Sequence, residues 1–171
     1  MKAKLLIEDK EIEVEISKKE LNKLKQNQVK KTGYERVEER CNYYYDCLKG
    51  RINCTTDFRN KYDIELFNDA NYYSDETVAN NNMRADKLMR QLRRFAVEHR
   101  KKELDWENLF KKKWTICYNY SLVEGLITQE FSSIRNIFGI YFDSKETVEL
   151  AIKEFHSELI WYFTEYKDRL E

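Results

Sequence analysis

The 171-residue sequence has no proline, only four glycines and only two histidines. Flexible and stiff linkers are rich in glycine, serine or proline, so this composition argues against a long linker between domains. The four cysteines are Cys41, Cys47, Cys54 and Cys117; they form no Cys-x-x-Cys pair, and no histidine lies near the first three. This spacing does not predict a zinc site or any other metal site. We expect reduced thiols packed in or beside strands.

Long apolar runs and charge of a single sign are also missing. No stretch approaches the roughly 20 apolar residues that span a bilayer. The segment after Met1 has the pattern of a strand rather than the apolar core of a secretory signal, so we expect a cytoplasmic protein. Lys+Arg and Asp+Glu both number 31. This balance excludes a strongly acidic DNA mimic and a strongly basic nucleic-acid coat.

No recognisable catalytic arrangement is present. His99 and His156 lie beside or within predicted helices, and no serine or cysteine stands in a nucleophile elbow. A glycine-rich phosphate loop is absent as well. We therefore predict a protein that is not an enzyme and has no cofactor.

The clearest positive signal is a strand that turns directly into a helix at residues 140–163. The aromatic strand 140–142 meets Asp143 and Ser144, whose side-chain oxygens can cap a helix, and Glu146 follows Asp143 by three residues as in a capping box. Apolar residues then recur at steps of three and four on one helix face: Val148, Ile152, Phe155, Leu159 and Phe163.

A similar unit occurs earlier in the chain. Residues 71–73 lead into Ser74 and Asp75, and apolar residues follow at helical steps from Ala85 to Phe95. Residues 76–78 correspond to residues 146–148, both reading Glu-Thr-Val. We therefore predict an internal duplication.

The predicted fold class is α+β. An N-terminal β-hairpin, with strands at 4–7 and 11–16, and a short helix starting at Ser17 form a module that ends with a linker at residue 33. Two β-β-β-α repeats follow, at 34–105 and 106–171, each with a three-stranded antiparallel sheet and one packed helix. Residues 57–63 are predicted as a loop. Residues 98–113 are predicted as an ordered connection anchored by Trp106.

The alternation of side chains along a strand separates the aromatic residues into two faces. Phe138, Ile140 and Phe142 share one face, which we assign to the helix because Phe142 directly precedes it. Tyr141 then faces away, and Tyr72 is its counterpart in the first repeat. In one of the strand registers that the sequence allows, the Tyr44 side chain points to the same face of the sheet as Tyr72.

Two groups of residues are candidates for binding a partner. The first helix and its extension are rich in cations, and only Asp86 and Glu98 are acidic between residues 84 and 102. Guanidinium groups bind phosphate or carboxylate through paired donors, whereas a solvated face paired with acids elsewhere is the structural alternative. Aromatic side chains suit a protein interface, a single-stranded nucleic-acid platform or packing between the repeats. The predicted partner-binding residues are Arg84, Lys87, Arg90, Arg93, Arg94, Tyr44, Tyr72 and Trp106.

The C-terminal unit resembles a signature of small accessory proteins encoded by phages and prophages of Gram-positive bacteria. The residues that carry this resemblance are Tyr141-Phe142-x-Ser144-x-Glu146, Ala151-Ile152-x-x-Phe155, Glu158-Leu159 and Trp161-Tyr162-Phe163. The opening hairpin and residues 84–96 extend it over most of the chain. The resemblance implies no catalytic residue. It implies phage cargo, a class that includes inhibitors of bacterial immunity such as anti-CRISPR proteins.

A weaker similarity is to the three-strand-and-helix domain of plant ethylene-response factors and phage integrase arms. The similarity is carried by residues 142–146. The chain departs from the pattern of these DNA-binding domains because Arg135 is the only basic residue near the strands of the second repeat.

The primary hypothesis is a phage-encoded binding protein that inhibits a bacterial defence protein or complex, such as a CRISPR effector, by contact. The alternatives are a nucleic-acid-binding module and a sponge for a small nucleotide signal, which would need a pocket with aromatic and arginine side chains.

Overall fold

The computed structural model describes residues 2–7, 10–15, 17–19, 31–47, 50–123, 125–131, 135 and 139–166, with only the backbone of residues 2–15. Strands β1 (Lys2–Ile7) and β2 (Lys10–Glu15) pair antiparallel, with Lys2 opposite Glu15. The predicted N-terminal hairpin is therefore confirmed. Most of the helix and the linker predicted after it lie outside the described residues.

The first half of the main body contains the hairpin of β3 (Asn42–Asp46) and β4 (Ile52–Thr56), followed by helices α1 (Lys61–Asn68) and α2 (Glu76–Glu98). Tyr73 adds a single antiparallel bridge to β3, because Tyr44 and Tyr73 exchange backbone hydrogen bonds of 2.8 and 2.9 Å. Asp75 then caps α2 by accepting the N–H of Val78. This cap agrees with the predicted helix start.

Helix α1 occupies a segment that was predicted in part as a loop. It begins with a capping box in which the Asn60 side chain accepts the N–H of Asp63 and the Asp63 carboxylate accepts the N–H of Asn60. Asp63 is the only residue of α1 that is buried. The loop prediction was wrong for the start of α1. This helix is stabilised by its N-cap and has no buried apolar stripe, so its sequence lacks the apolar periodicity that predicts a helix.

The second half contains the hairpin of β5 (Lys113–Tyr118) and β6 (Leu126–Phe131), then α3 (Lys145–Glu154) and α4 (His156–Thr164). Phe142 bridges Trp114 through backbone hydrogen bonds of 3.0 and 2.8 Å. Phe155 separates the two helices, so the prediction of one continuous helix through residue 163 was wrong.

The N-cap of α3 is Ser144, whose hydroxyl accepts the N–H of Thr147 at 3.2 Å. The prediction assigned the capping box to Asp143. That carboxylate instead accepts the N–H groups of Lys101 and Lys102, at 2.7 and 2.9 Å. Asp143 thereby ties the segment after α2 to the start of α3.

The α+β class is confirmed. Both halves contain a hairpin, a bridging residue and a helix in that order, but the predicted three-stranded sheets are reduced to two strands and one bridge. The third strand is short because Ser144 and Asp75 begin helices within two residues of the bridging Phe142 and Tyr73. An ancestral duplication stays a prediction.

Helix α2 joins the two halves, because it contacts β3 and β4 as well as α3 and α4. Phe142 is 1% exposed and packs with the helices, which confirms its predicted face, whereas Phe138 lies outside the described residues. No described helix combines the length and the apolar character needed to cross a bilayer. The main core consists of Leu88, Leu92, Ala96, Phe142, Val148, Ala151 and Leu159.

Candidate partner-binding surface

Helix α2 presents a row of cations on the side opposite its buried residues. Its inner side is formed by Ala79, Ala85, Leu88, Leu92 and Ala96. At 100° per residue, positions 87, 90 and 94 lie on the outer side, one above the other. We call Lys87, Arg90 and Arg94 the basic stripe; all three residues are exposed.

The basic stripe is only weakly neutralised. Arg94 Nε lies 3.7 Å from Glu98 Oε1, but these side chains are 72% and 58% exposed, and such a surface pair contributes little. No ion pair within 4 Å joins Lys87 or Arg90 to another described residue. Arg93, on the flank of α2, is also exposed and has no such pair. Among the described residues, the alternative in which acids elsewhere in the fold pair with this face finds no ion pair within 4 Å at Lys87, Arg90 or Arg93, although the charge of Lys87 helps to lower the pKa of Glu158.

Arg84 has a different environment from the other predicted contact residues of α2. Its Nε and one terminal nitrogen donate to the two carboxylate oxygens of Glu158 on α4, at 2.8 and 3.1 Å. Its guanidinium carbon also lies 3.9 Å from the ring centroid of Trp161. The hydrogen bond from Arg84 lowers the pKa of Glu158. Arg84 therefore connects α4 to α2, and two of its five N–H donors are engaged within the fold.

Trp106 anchors the connection between the two halves, as predicted. Its ring meets the ring of Tyr141 edge-on, with the centroids 4.8 Å apart. Lys113 Nζ and the Arg135 guanidinium carbon each lie 5.2 Å from the Trp106 centroid. Lys113 is 1% exposed and donates to the Asn108 carbonyl at 3.0 Å. These contacts leave Trp106 half-buried.

Tyr72 is only 2% exposed, so the prediction that it faces a partner was wrong. Its hydroxyl donates to Asp57 Oδ2 at 2.9 Å, and its ring stacks on Tyr43 at 4.0 Å. Burial, together with the hydrogen bond to Asp57, raises the pKa of Tyr72 to about 12. Tyr44 is half-buried and is held by its backbone bridge to Tyr73. Strand parity identifies alternate faces but does not say which face the rest of the chain covers.

A buried carboxylate at the end of β4 was not found from the sequence. Asp57 is 0% exposed, and its Oδ2 accepts hydrogen bonds from Arg36 Nε at 3.1 Å and from the Tyr72 hydroxyl. Arg59 adds its N–H to Oδ1 at 2.8 Å. Burial would raise the pKa of Asp57, but the donors of Arg36, Arg59 and Tyr72 outweigh it and lower the pKa. In a chain with 36% charged residues, no local pattern marks this carboxylate.

Exposed apolar side chains at the β5–β6 turn were also missed. Tyr120, Leu122 and Val123 are 62%, 50% and 104% exposed, and Phe110 in the connection is 95% exposed. The Tyr120 hydroxyl donates to the Phe163 carbonyl at 2.9 Å, which holds the turn against α4. The occurrence of Tyr120, Leu122 and Val123 in the short connection between β5 and β6 is the sequence signal that could have identified this exposed apolar patch.

The described part of the chain includes two open cavities beside its helices. One, of about 530 Å³, lies between α2 and the junction of α3 and α4, and Arg84, Lys87, Lys153, Phe155 and Glu158 contribute to its lining. The other, of about 640 Å³, lies beside β3, β4 and α1 and includes Tyr45, Arg51 and Tyr62. The first cavity is continuous with the basic stripe through Lys87.

Among the described residues, no group of three or more histidine, cysteine, aspartate or glutamate side chains is arranged to hold a metal ion. The four cysteines are free thiols, with Cys41 and Cys54 exposed and Cys47 and Cys117 half-buried. Comparison of the chain with protein-family models, with curated proteins and with solved structures gives no significant match in any of the three.

Proposed function

We propose that the protein is a non-enzymatic binding protein that docks its basic stripe on an acidic surface of a partner protein. The observation that carries this proposal is the outer face of α2, where Lys87 and Arg90 have no described ionic partner within 4 Å. Like charges at helical spacing destabilise a helix by a few tenths of a kcal/mol per pair. The attraction of cations to a helix C-terminus fades within the last turn, and the last turn of α2 contains no basic residue, so this attraction does not account for the stripe.

The position of the stripe suits a rigid interface. Helix α2 is fixed on its inner side by the main core, and Arg84 fastens α4 beside it. Binding through a preformed helix avoids the cost of ordering a flexible segment. Arginine can form paired hydrogen bonds with carboxylates, so an acidic protein surface is the complementary partner.

The proposed partner is a component of a bacterial defence system, and the proposed site of action is the cytoplasm of the host cell. The resemblance of residues 141–163 to phage accessory proteins supports this context. Inhibition would be steric, in the manner of an anti-CRISPR protein that covers a surface of its target. No catalytic step is required of any residue in this proposal.

The nucleic-acid alternative has less support from the geometry. Tyr72 is buried and the Trp106 ring packs on Tyr141, so two of the three aromatic residues predicted for a platform are engaged within the fold. Three stripe cations are few compared with the six to ten phosphate contacts typical of strongly salt-dependent binders. The experiment that tests the protein partner also tests this alternative.

The test is capture of proteins from a Gram-positive host lysate on the tagged protein, with and without nuclease, followed by mass spectrometry. The wild type is compared with Arg90→Gln/Arg94→Gln and with a control, Lys61→Gln/Lys145→Gln. The control removes the same charge from exposed residues of α1 and α3.

The expected result is a defence component that survives nuclease, is lost with Arg90→Gln/Arg94→Gln and is retained by the control. Capture that is lost on nuclease treatment would refute a protein partner and support the nucleic-acid-binding alternative. Equal capture by the stripe variant and the control would refute the assignment of the surface. Capture of no defence component would refute the proposed partner.

A further inference from the structure

The junction cavity, defined as the cavity of about 530 Å³ between α2 and the α3–α4 break, is lined by cations from two helices. Lys87 enters its lining from α2 and Lys153 enters from the last turn of α3. Neither ammonium group has an ion pair within 4 Å among the described residues. Two lysines from different helices therefore face one concave space without an ionic partner.

The acids of the cavity balance this charge only in part, although Lys87 is close enough to Glu158 to help lower its pKa. Two carboxylates contribute to the lining, Glu154 and Glu158. Both carboxylate oxygens of Glu158 already accept a hydrogen bond from Arg84, at 2.8 and 3.1 Å. Glu154 remains as a hydrogen-bond acceptor. The cavity thus combines two available cations with one available carboxylate.

One aromatic residue, Phe155, also lines the cavity, and it packs in part against the main core. Phe155 lies at the break between α3 and α4, and it is half-buried. Its ring meets the Phe95 ring edge-on with the centroids 5.6 Å apart, which fixes its orientation. A ring at the edge of a polar cavity offers a surface on which a planar heterocycle can pack.

The volume agrees with a small ligand, because sites for such molecules range from about 300 to 1,000 Å³. A ligand that engages the two lysines, Phe155 and Glu154 together must carry an anion, a planar ring and a hydroxyl donor. A simple inorganic anion would leave the ring and the carboxylate unused. A nucleoside phosphate has all three features.

We propose that the junction cavity binds a free nucleoside monophosphate, with its phosphate at Lys87 and Lys153, its base on Phe155 and its ribose hydroxyls at Glu154. The binding is reversible and involves no chemical step. This inference goes beyond the docking role of the basic stripe, because the cavity can be occupied whether or not a protein partner is present. Lys87 belongs to both surfaces, whereas Lys153 and Phe155 belong to the cavity alone.

The test is isothermal titration of the full chain with AMP, adenosine and inorganic phosphate as separate probes at low salt. The informative variant is Lys153→Gln, and its control is Lys145→Gln, which removes the same charge from the first turn of the same helix. A hydrogen bond to a charged group contributes about 1.5–3 kcal/mol, so losing it weakens binding by about tenfold or more. We expect that loss for AMP in Lys153→Gln and less than about a twofold change in the control. Adenosine should bind at least about tenfold more weakly than AMP.

Three results would overturn the proposal: no AMP binding at concentrations of about 1 mM, equal affinity of AMP for Lys153→Gln and Lys145→Gln, or phosphate binding as tightly as AMP. Circular dichroism of both variants checks that each is folded. The Arg90→Gln/Arg94→Gln variant separates this site from the proposed docking function. It should keep its AMP affinity while losing the protein partner, so either proposal can fail without the other.

Discussion

Arg84 is expected to stabilise the fold rather than to contact a partner, and Arg84→Met tests this role because it removes the guanidinium and keeps an apolar stem. Two interactions are lost. The pair with Glu158 is bidentate, but the two side chains are 42% and 41% exposed, so its contribution is at most about 1 kcal/mol. The guanidinium also stacks 3.9 Å from the centroid of Trp161, which is 7% exposed, and such stacking contributes about 0.5–2 kcal/mol.

The two contributions share one guanidinium, so we expect a total loss of about 1–2 kcal/mol in the free energy of unfolding. For a chain of this size that loss lowers Tm by about 2–8 °C. The assay is urea and thermal unfolding followed by circular dichroism, with Arg90→Met as the matched control. Arg90 is exposed on the same helix, and its substitution should change stability by less than about 0.5 kcal/mol.

Acidification provides a second readout for the same pair. The hydrogen bond from Arg84 lowers the pKa of Glu158 in the folded protein. The stabilisation is therefore complete above the unfolded pKa of about 4.3 and is lost as pH falls through the folded pKa. The stability difference between wild type and Arg84→Met should shrink below about pH 4. If Arg84→Met and Arg90→Met were equally stable at pH 7, the structural role assigned to Arg84 would be refuted.

Two further predictions concern other parts of the fold. Asp57→Asn should cost about 3 kcal/mol, because the guanidinium of Arg36 and the hydroxyl of Tyr72 lose a buried carboxylate. The folded pKa of Asp57 is lowered, so the wild type should lose stability below about pH 4 by more than Asp57→Asn does. Gly125→Ala should cost at least about 1–2 kcal/mol, because φ is +60° and the new Cβ would clash with the Tyr118 ring. Chemical denaturation measures both losses.

Each of these two predictions has an outcome that would contradict it. A loss below about 1 kcal/mol for Asp57→Asn would mean that the carboxylate is not the partner that holds Arg36. A wild-type Tm in Gly125→Ala would mean that the β5–β6 turn relaxes without strain. Gly50→Ala is the control for steric crowding, because its φ is +74° but no atom lies within 4 Å of the position that a Cβ would take there.

The sequence by itself determined the local structure of this protein. The hairpins at β1–β2, β3–β4 and β5–β6 follow from short aromatic or alternating runs around turn residues, and these signals act over a few residues. The start of α2 at Asp75 and the chemistry of its outer face were predictable for the same reason. The basic stripe is a consequence of helical spacing, so its three residues could be identified before the fold was known.

Other features depend on contacts between distant residues, and only the tertiary structure decided them. Arg84 and Glu158 are separated by 74 positions, and no local pattern pairs them. The alternation of side chains along the strand predicted that Tyr72 faces away from the helix, but contacts with Asp57 and Tyr43 bury it. The break at Phe155 interrupts an apolar spacing that continues through it, so periodicity predicted one helix. The junction cavity lies between α2 and that break, and its two lysines line it from separate helices.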